Sequence, residues 1–537
     1  MPIKLQTQKV ITQTQEACQR LFNIKSDFEV KLSPRPEFGD FTIECFDLAK
    51  KLNNKPIEIA QVLAAEIQGA SAVGPYLNFK IDYQKFSKEL LGEILTNKEK
   101  YGQSNLGKKQ KIILEFAHPN THKAFHIGHL RNIITGESLA RILENSGYKI
   151  IRANYQGDVG LHIAKCLYNL KSEKLKDKIK LLSQAYVAGN KAYEENEEAK
   201  KEIQELNQKI YQQDKSIKKI YQQTRQWSLD YFDKIYKRLD TKFDRLYFES
   251  EVFEKGKKIV LQNPNIFKKS EGAVIFEGEK YNLHNRVFIN SKGQATYEAK
   301  DLALAELQLK EYNPDKIIHL VGPEQSEYFK VLFKALEFTL PTSKNREMHL
   351  PYGWVRLKKG KMSSRLGNVI AGEWLLDEVK KRLNNQEEIA QAAIKYSILK
   401  TNRQKDMAFD IKKSINLFGD SGPYLQYTHA RIKSILRKQK ASQIKQTPEL
   451  LEQEKNIILK LSLFPDIIEQ SVREYEPSII AKYLFDLAQI FSNYYHQAPI
   501  LKAEANKKFF RLNLIKAISI ILKRGLCLLG ITAPEKM

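Results

Sequence analysis

The stretch Ile112-Ile-Leu-Glu-Phe116, followed by Ala-His118-Pro-Asn-Thr-His-Lys-Ala-Phe-His126-Ile-Gly-His129, decides the fold. Its short apolar run is that of a strand buried on both faces, as parallel strands are. Pro119 marks a loop, and a helical pattern runs from about Ile127 to Asn145. Gly147 closes that helix, and Tyr148 to Ala153 reads as the next strand. Strand, loop, helix and strand in that order open a doubly wound parallel sheet. The best-known phosphate loops are missing: no G-x-G-x-x-G follows the first strand, and no G-x-x-x-x-G-K-[ST] occurs anywhere.

Upstream, residues 1–105 read as a small α+β module. A helical stretch runs from Leu5 to Leu21, an extended segment from Phe28 to Leu32, and a second helical stretch is expected over Phe41 to Lys51. Pro56 suits the first turn of a helix to Ile67, and Tyr76 to Ile81 alternates like a strand. The lysine-rich Lys98 to Lys111, with Gly102 and Gly107, is expected to be a linker. Downstream, residues 171–242 contain no proline and one glycine, Gly189, and read as long amphipathic helices inserted into the sheet domain. Strands are expected again at Gly272–Phe276, Arg286–Ile289 and Lys316–Val321. From Glu387 onward the pattern is almost wholly helical. The expected architecture is α/β: a Rossmann-like doubly wound domain over 106–386 with helical insertions, the N-terminal module, and an all-α bundle over 387–537.

The composition narrows the function. The chain has 537 residues, 42% of them hydrophobic and 28% charged, with a mean hydropathy of −0.47, which fits a globular protein of several domains. There are 88 basic and 63 acidic residues, a net charge of +25 that favours polyanionic partners such as nucleic acid. No run of about 18 uncharged apolar residues exists, so membrane insertion is not expected. Met1 to Val10 lacks an apolar core, so no secretory signal is expected. Cys18, Cys45, Cys166 and Cys527 lie far apart, which argues against a zinc knuckle or a disulfide framework and for the cytoplasm.

Four of the ten histidines fall between His118 and His129. A metal site through His122 and His126 would need a helix starting before His122, and the Glu of H-E-x-x-H is absent. The strand-to-helix junction accounts for them better. Helix N-termini attract phosphate, and His126 and His129, three apart, would share one side of the first turn. Gly128 would let a flat base approach the backbone. Far downstream, Lys358-Lys-Gly-Lys361-Met-Ser-Ser-Arg-Leu-Gly-Asn368 is a basic loop whose lysines and serine hydroxyls, Ser363 among them, suit a leaving pyrophosphate.

Taken together, His126-Ile-Gly-His129 and Lys361-Met-Ser-Ser-Arg365 resemble the paired signatures of class I aminoacyl-tRNA synthetases. Glu115-Phe-Ala-His-Pro-Asn120, Asn154-Tyr-Gln-Gly-Asp-Val-Gly160, Tyr297-Glu-Ala-Lys-Asp301 and Gly422-Pro-Tyr-Leu-Gln-Tyr-Thr-His-Ala-Arg431 are similar to the arginyl form. The resemblance implies activation of L-arginine with ATP to arginyl-adenylate and transfer to the terminal adenosine of tRNA(Arg). Mg²⁺ is expected with the ATP, and no zinc or other protein-bound metal. His126, Gly128, His129, Lys361 and Ser363 would hold ATP, with His126, His129 and Lys361 catalytic. Glu115, Tyr297 and Asp301 would receive the guanidinium, whose planar fork of donors needs carboxylates when buried. Asn120 and Gln325 would hold the α-amino end. The family's Lys-Met-Ser-Lys-Ser has Ser364 for its second lysine and Arg365 for its last serine, so Arg365, Lys358 or Lys123 would supply the charge.

Between Asp420 and Glu449 no acidic residue occurs, while Arg431, Lys433, Arg437, Lys438, Lys440 and Lys445 do. With Tyr424 and Tyr427 just before them, they suit splayed anticodon bases and phosphates. By the resemblance, the N-terminal module touches the outer corner of the tRNA and the enzyme is a monomer. The 171–242 insertion is an RNA-facing arm or, as favoured here, a solvated helical hairpin. Two other functions remain to be weighed: a class I synthetase for another amino acid such as lysine, and a catalytically silent tRNA-binding paralogue. A lysine ammonium needs fewer acceptors than Glu115, Tyr297 and Asp301 offer, and a silent paralogue would have eroded His126, His129 or Lys361.

Overall fold

The structure, a computed structural model, describes residues 2–35, 37–170, 178–358, 371–439 and 447–537. The N-terminal module comprises α1 (Pro2–Phe22), β1 (Lys31–Leu32), β2 (Phe41–Glu44), α2 (Phe46–Leu52), α3 (Pro56–Glu66), β3 (Ala70–Val73), β4 (Tyr76–Phe79) and α4 (Tyr83–Asn97). Its antiparallel sheet has the order β1-β2-β4-β3. The helix expected over Phe41–Lys51 starts only at Phe46. Phe41-Thr-Ile-Glu44 is instead a strand, paired with β1 on one side and β4 on the other, where its β-branched pair Thr42 and Ile43 packs well.

The central domain begins with β5 (Lys111–Glu115), α5 (Ile127–Asn145), β6 (Lys149–Gln156) and α6 (Leu161–Tyr168). The insertion follows as α7 (Lys178–Glu195), α8 (Glu197–Tyr211) and α9 (Lys215–Arg238). Next come β7 (Arg245–Phe248), α10 (Glu249–Gln262), β8 (Phe267–Ser270), β9 (Ala273–Phe276), β10 (Arg286–Ile289), α11 (Tyr297–Tyr312), β11 (Lys316–Val321), α12 (Ser326–Thr339) and β12 (Glu347–Pro351). Five strands form one parallel sheet in the order β12-β11-β5-β6-β7. The chain leaves β5 toward β6 and β7, then returns to build β11 and β12 on the other side. The reversal opens a crevice beyond the ends of β5 and β11, where ligands of such sheets bind. Two strands expected in this domain, β9 and β10, lie outside that sheet in a separate antiparallel one, β10-β9-β8.

The rest is β13 (Val355–Leu357), α13 (Gly372–Arg382), α14 (Glu387–Leu399), β14 (Met407–Phe409), α15 (Ile411–Ser414), α16 (Gly422–Lys438), α17 (Glu452–Ser462), α18 (Phe464–Glu474), α19 (Ser478–Gln497) and α20 (Ala505–Leu528). Its apolar faces bury long runs such as Ile480, Leu484, Leu487 and Phe491. The segment expected as a linker is a packed seam. Tyr101 is buried and stacks on Phe464 at 6.4 Å, so the polar sequence around it conceals an apolar anchor. Among the described residues, no helix is long and apolar enough to cross a membrane.

Candidate active site and RNA-binding cleft

Helix α5 starts in the crevice, and its first turn is built by the two histidines. His126 is the N-cap: its Nδ1 accepts the Gly128 backbone N–H at 3.1 Å, and His129 Nδ1 accepts the His126 N–H at 3.1 Å. This reciprocal cap satisfies donors that a helix start leaves open. Both Nδ1 atoms are acceptors, so each ring carries its proton on Nε2. Burial, and for His129 also the neighbouring charges of His126, His118 and Lys123, holds both rings below their ordinary pKa; for His126 the second cause is Lys123. They are neutral donors at pH 7. A Cβ at Gly128 would sit 2.9 Å from the His126 ring, so glycine here makes room for the cap itself.

His122 takes no part in a metal pair. It lies outside the helix at φ +66°, and its ring meets the hydroxyls of Thr121 at 3.0 Å and Thr224 at 2.8 Å. Just upstream, Ala117 and His118 hold φ of +82° and +48°, a sparsely populated backbone that clusters at functional sites. Asn120 bridges to Gly157 across to the end of β6, where a Cβ on Gly157 would collide with the Asn120 amide. Lys123 lies over the Tyr186 ring at 4.8 Å.

At the end of β5, Glu115 is 3% exposed. Its Oε2 accepts Gln308 Nε2 at 2.7 Å, and its Oε1 meets His319 Nδ1 at 3.1 Å. Burial works against its charge, but His319 outweighs burial and keeps the carboxyl below its ordinary value. Asp301, on α11, accepts the Tyr328 hydroxyl at 2.5 Å on Oδ2, while its sealed Oδ1 has no partner. Burial and the Glu115 charge push its pKa up to about 7. Other sealed atoms without partners include the Tyr155 hydroxyl, both amide atoms of Gln156, and Gln308 Oε1. Buried polar groups are ordinarily paired, and the acceptors among these, Asp301 Oδ1 and Gln308 Oε1, with Gln308 bonded to Glu115, suit a ligand rich in N–H donors. A guanidinium has five.

Tyr297 opens α11 one turn before Asp301 but is 56% exposed, with Lys300 Nζ 4.9 Å from its ring centroid. Lys300 in turn pairs with the buried Glu249 at 2.5 Å. Gln325 lies on the short turn Pro323–Gln325 that follows β11, at the mouth of the crevice. Lys361, Ser363, Ser364 and Arg365 lie outside the described residues, as do Lys440 and Lys445. Lys358 is described and pairs with Asp410 at 3.5 Å.

The basic-aromatic stretch of α16 meets the end of α19 in a cleft of about 690 Å³. Arg431 lies between two rings, 5.2 Å from the Tyr427 centroid and 5.1 Å from that of Tyr495. Arg437, Lys438, Lys502 and Met537 complete the walls. Tyr424 and Lys433 are placed elsewhere: Tyr424 packs edge-on to Phe485 at 5.9 Å, and Lys433 pairs with Glu535 at 2.8 Å. Tyr495 and Met537 escaped the sequence reading, because neither sits near α16 in the chain. The aromatic spacing of Tyr494-Tyr495-His496 was the available signal.

Comparison with known proteins bears on both sites. The family description "tRNA synthetases class I (R), catalytic domain" matches residues 90–411, "DALR anticodon binding domain" residues 425–537, and "Arginyl tRNA synthetase N terminal domain" residues 6–81. The arginine--tRNA ligase of Borreliella afzelii is 36% identical, with 96% of each chain covered. That of Clostridium perfringens is 34% identical over 95% of this chain and 96% of its own. Among solved structures, the arginyl-tRNA synthetase of Thermus thermophilus superposes with a TM-score of 0.79 at 25% identity, covering 99% of this chain and all of its own.

Proposed function

The chain belongs to the arginyl-tRNA synthetase family, and on that premise we propose that Glu115 and Asp301 select the guanidinium of L-arginine while His126 and His129 hold ATP. The enzyme is an arginine–tRNA ligase. It uses ATP, and its substrates are arginine and tRNA. The arginine carboxylate attacks the α-phosphorus of ATP, the bond to the bridging oxygen breaks, and pyrophosphate leaves. A hydroxyl of the terminal adenosine of tRNA(Arg) then takes the arginyl group and AMP departs.

The protein's task is to position these groups and stabilise charge as it shifts. The Nε2–H of His126 and of His129 donate to the phosphates, and the start of α5 adds its positive end. Lys361 and Ser363 receive the departing pyrophosphate. Of the cations able to replace the missing lysine of the loop, Lys123 is favoured: it belongs to the segment that leads into α5, and its charge is felt at both His126 and His129. Lys358 is already paired with Asp410. Mg²⁺ would be held by the ATP phosphates and water, since the described residues offer no group of three metal-ligating side chains. Asn120 and Gln325 hold the α-amino end, and Tyr297, more than half exposed, offers its hydroxyl and ring face to the guanidinium from the entrance.

The observation that carries the arginine assignment is the unpartnered Asp301 Oδ1 next to the ionised Glu115. A site of buried carboxylates rejects analogues lacking the guanidinium by about 10⁴–10⁵. The cleft at Arg431 is the anticodon site, with Tyr427 and Tyr495 stacking bases and Arg437 meeting phosphate. Residues 1–105 form the module that meets the tRNA corner, 106–386 the catalytic domain and 387–537 the anticodon domain. The enzyme works as a cytoplasmic monomer. Pyrophosphate exchange with each amino acid, with and without tRNA, tests the assignment. Exchange is expected with arginine alone and only with tRNA present; exchange with lysine would overturn the specificity, and silence under all conditions would favour a tRNA-binding paralogue.

A further inference from the structure

Strands β5, β11 and β12 bring three ionisable side chains into one line below the arginine pocket. In the sheet register His319 on β11 faces Glu115 on β5, while Glu347 opens β12. His319 Nδ1 lies 3.1 Å from Glu115 Oε1, and its Nε2 lies 2.8 Å from Glu347 Oε2. All three side chains are nearly sealed from water. The ring packs against two aromatic neighbours, with the Phe329 centroid at 5.1 Å and that of Phe333 at 5.9 Å. Neither carboxylate can donate when ionised, so both contacts require N–H from the ring, and a ring that donates from both nitrogens is an imidazolium. Burial opposes the charge, but Glu115 and Glu347 outweigh it and raise the His319 pKa to about 10.

We propose that His319 and Glu347 are positioning residues for arginine selection: the imidazolium, held by Glu347, keeps Glu115 ionised and in one orientation in the empty pocket. This rests on the reading of Glu115 as a guanidinium acceptor. Without a resident cation, Glu115 and Asp301 would be two buried carboxylates side by side, and one proton would settle on the pair, as it does wherever like charges share a site. An arriving guanidinium would then meet one negative charge instead of two. His319, on the far side of Glu115, keeps that proton off Glu115 and leaves it to Asp301, which releases it near pH 7. Each Glu115 oxygen spends one contact, on Gln308 or His319, and keeps its remaining acceptor capacity for the ligand. Glu347 is what makes the arrangement durable, because its charge holds the second ring proton. The ionisable groups around the ring are then Glu115 on β5, His118 in the loop after it, Glu347 and His349 on β12, and Asp301 on α11.

The test compares wild type, E347Q and E115Q by steady-state aminoacylation, at about pH 6 and about pH 8.5. E347Q is expected to raise the KM for arginine about tenfold or more at the higher pH, where the ring without Glu347 loses its second proton, and less at the lower, where that proton returns; the effect is on the scale of a hydrogen bond to a charged group. Its kcat and its KM for ATP should stay within about twofold. E115Q should raise the arginine KM at both values. An unchanged arginine KM in E347Q with a raised one in E115Q overturns the positioning role alone. An unchanged KM in E115Q overturns the reading of Glu115 as well. Because E347Q can lose stability, ¹⁵N ring shifts of His319 in the wild-type enzyme provide a separate measure near pH 7.5. Two imidazolium-type nitrogens support the proposal, and a neutral ring overturns it.

Discussion

The rings of His126 and His129 stack with centroids 3.7 Å apart and planes 28° from parallel, and each surrenders its Nδ1 to a backbone N–H. The histidines are therefore structural on one edge, and on the proposed reading the other edge meets the ATP phosphates. The two roles can be separated. H126N keeps a side chain that caps helices well but loses the Nε2 donor. It should retain its melting temperature within about 3 °C while kcat falls about 10²–10³-fold, the loss seen when one charge-stabilising donor is removed. H126A should lose the same activity and about 1 kcal/mol of stability besides.

If Asp301 receives the guanidinium as proposed, it gives the arginine affinity a pH dependence. In the free pocket its carboxyl titrates at about 7, and a bound guanidinium favours the ionised form, so affinity is complete above that value and lost as pH falls through it. kcat/KM for arginine should drop toward about tenfold per unit below pH 7, while kcat/KM for ATP does not follow it. D301N should abolish this slope and cost about a hundredfold or more at pH 8.

Arg131 follows the His126–His129 turn on α5 and is buried. Its guanidinium donates to three backbone carbonyls, of Trp354 at 2.6 Å, Arg403 at 3.0 Å and Lys405 at 2.7 Å. It ties the helix start to the β13–β14 pair, whose first strand ends just before Lys358. R131M should cost about 3–5 kcal/mol, read by denaturant unfolding, because three buried acceptors lose a charged donor at once. R131K, with no planar fork, should recover less than half of that loss.

Arg431 between Tyr427 and Tyr495 predicts a defect confined to tRNA. R431A should raise the KM for tRNA about 10–100-fold and reduce the salt slope of tRNA binding by about 0.7–0.9. The KM for arginine should not change. Y495A should weaken tRNA binding by about 1–3 kcal/mol with the salt slope intact, since stacking is not ionic.

What the sequence made legible was whatever depends on neighbours in the chain. The β5–α5–β6 unit and helix Ile127–Asn145 stood out because a doubly buried strand is continuously apolar and α5 carries its own cap. Helices α7 to α9 were readable from apolar spacing alone. Phe41–Glu44 misled because its strand identity comes from two flanking partners rather than from its own pattern. The line Glu115–His319–Glu347 was invisible for a similar reason: it exists only once the sheet order brings β11 between β5 and β12. A histidine inside Lys316-Ile-Ile-His-Leu-Val321 was the one trace it left. Arg431 was found and Tyr495 was not, although they share a cleft, because only one of them lies in the basic run.

Two contacts tie the back of α5 to the far end of the helical domain. Ser138 Oγ donates to Leu528 O at 3.0 Å, and Arg141 reaches Cys527 O at 3.4 Å, so the back of the nucleotide-binding helix rests on residues 390 and 386 positions away. On the ribosome, the His126–His129 turn emerges long before its support does. A nascent chain carrying both signature motifs thus still lacks a finished nucleotide site, and contacts of such long range are slow to form. A product that stops short of Leu528 should therefore neither consume ATP nor bind arginine.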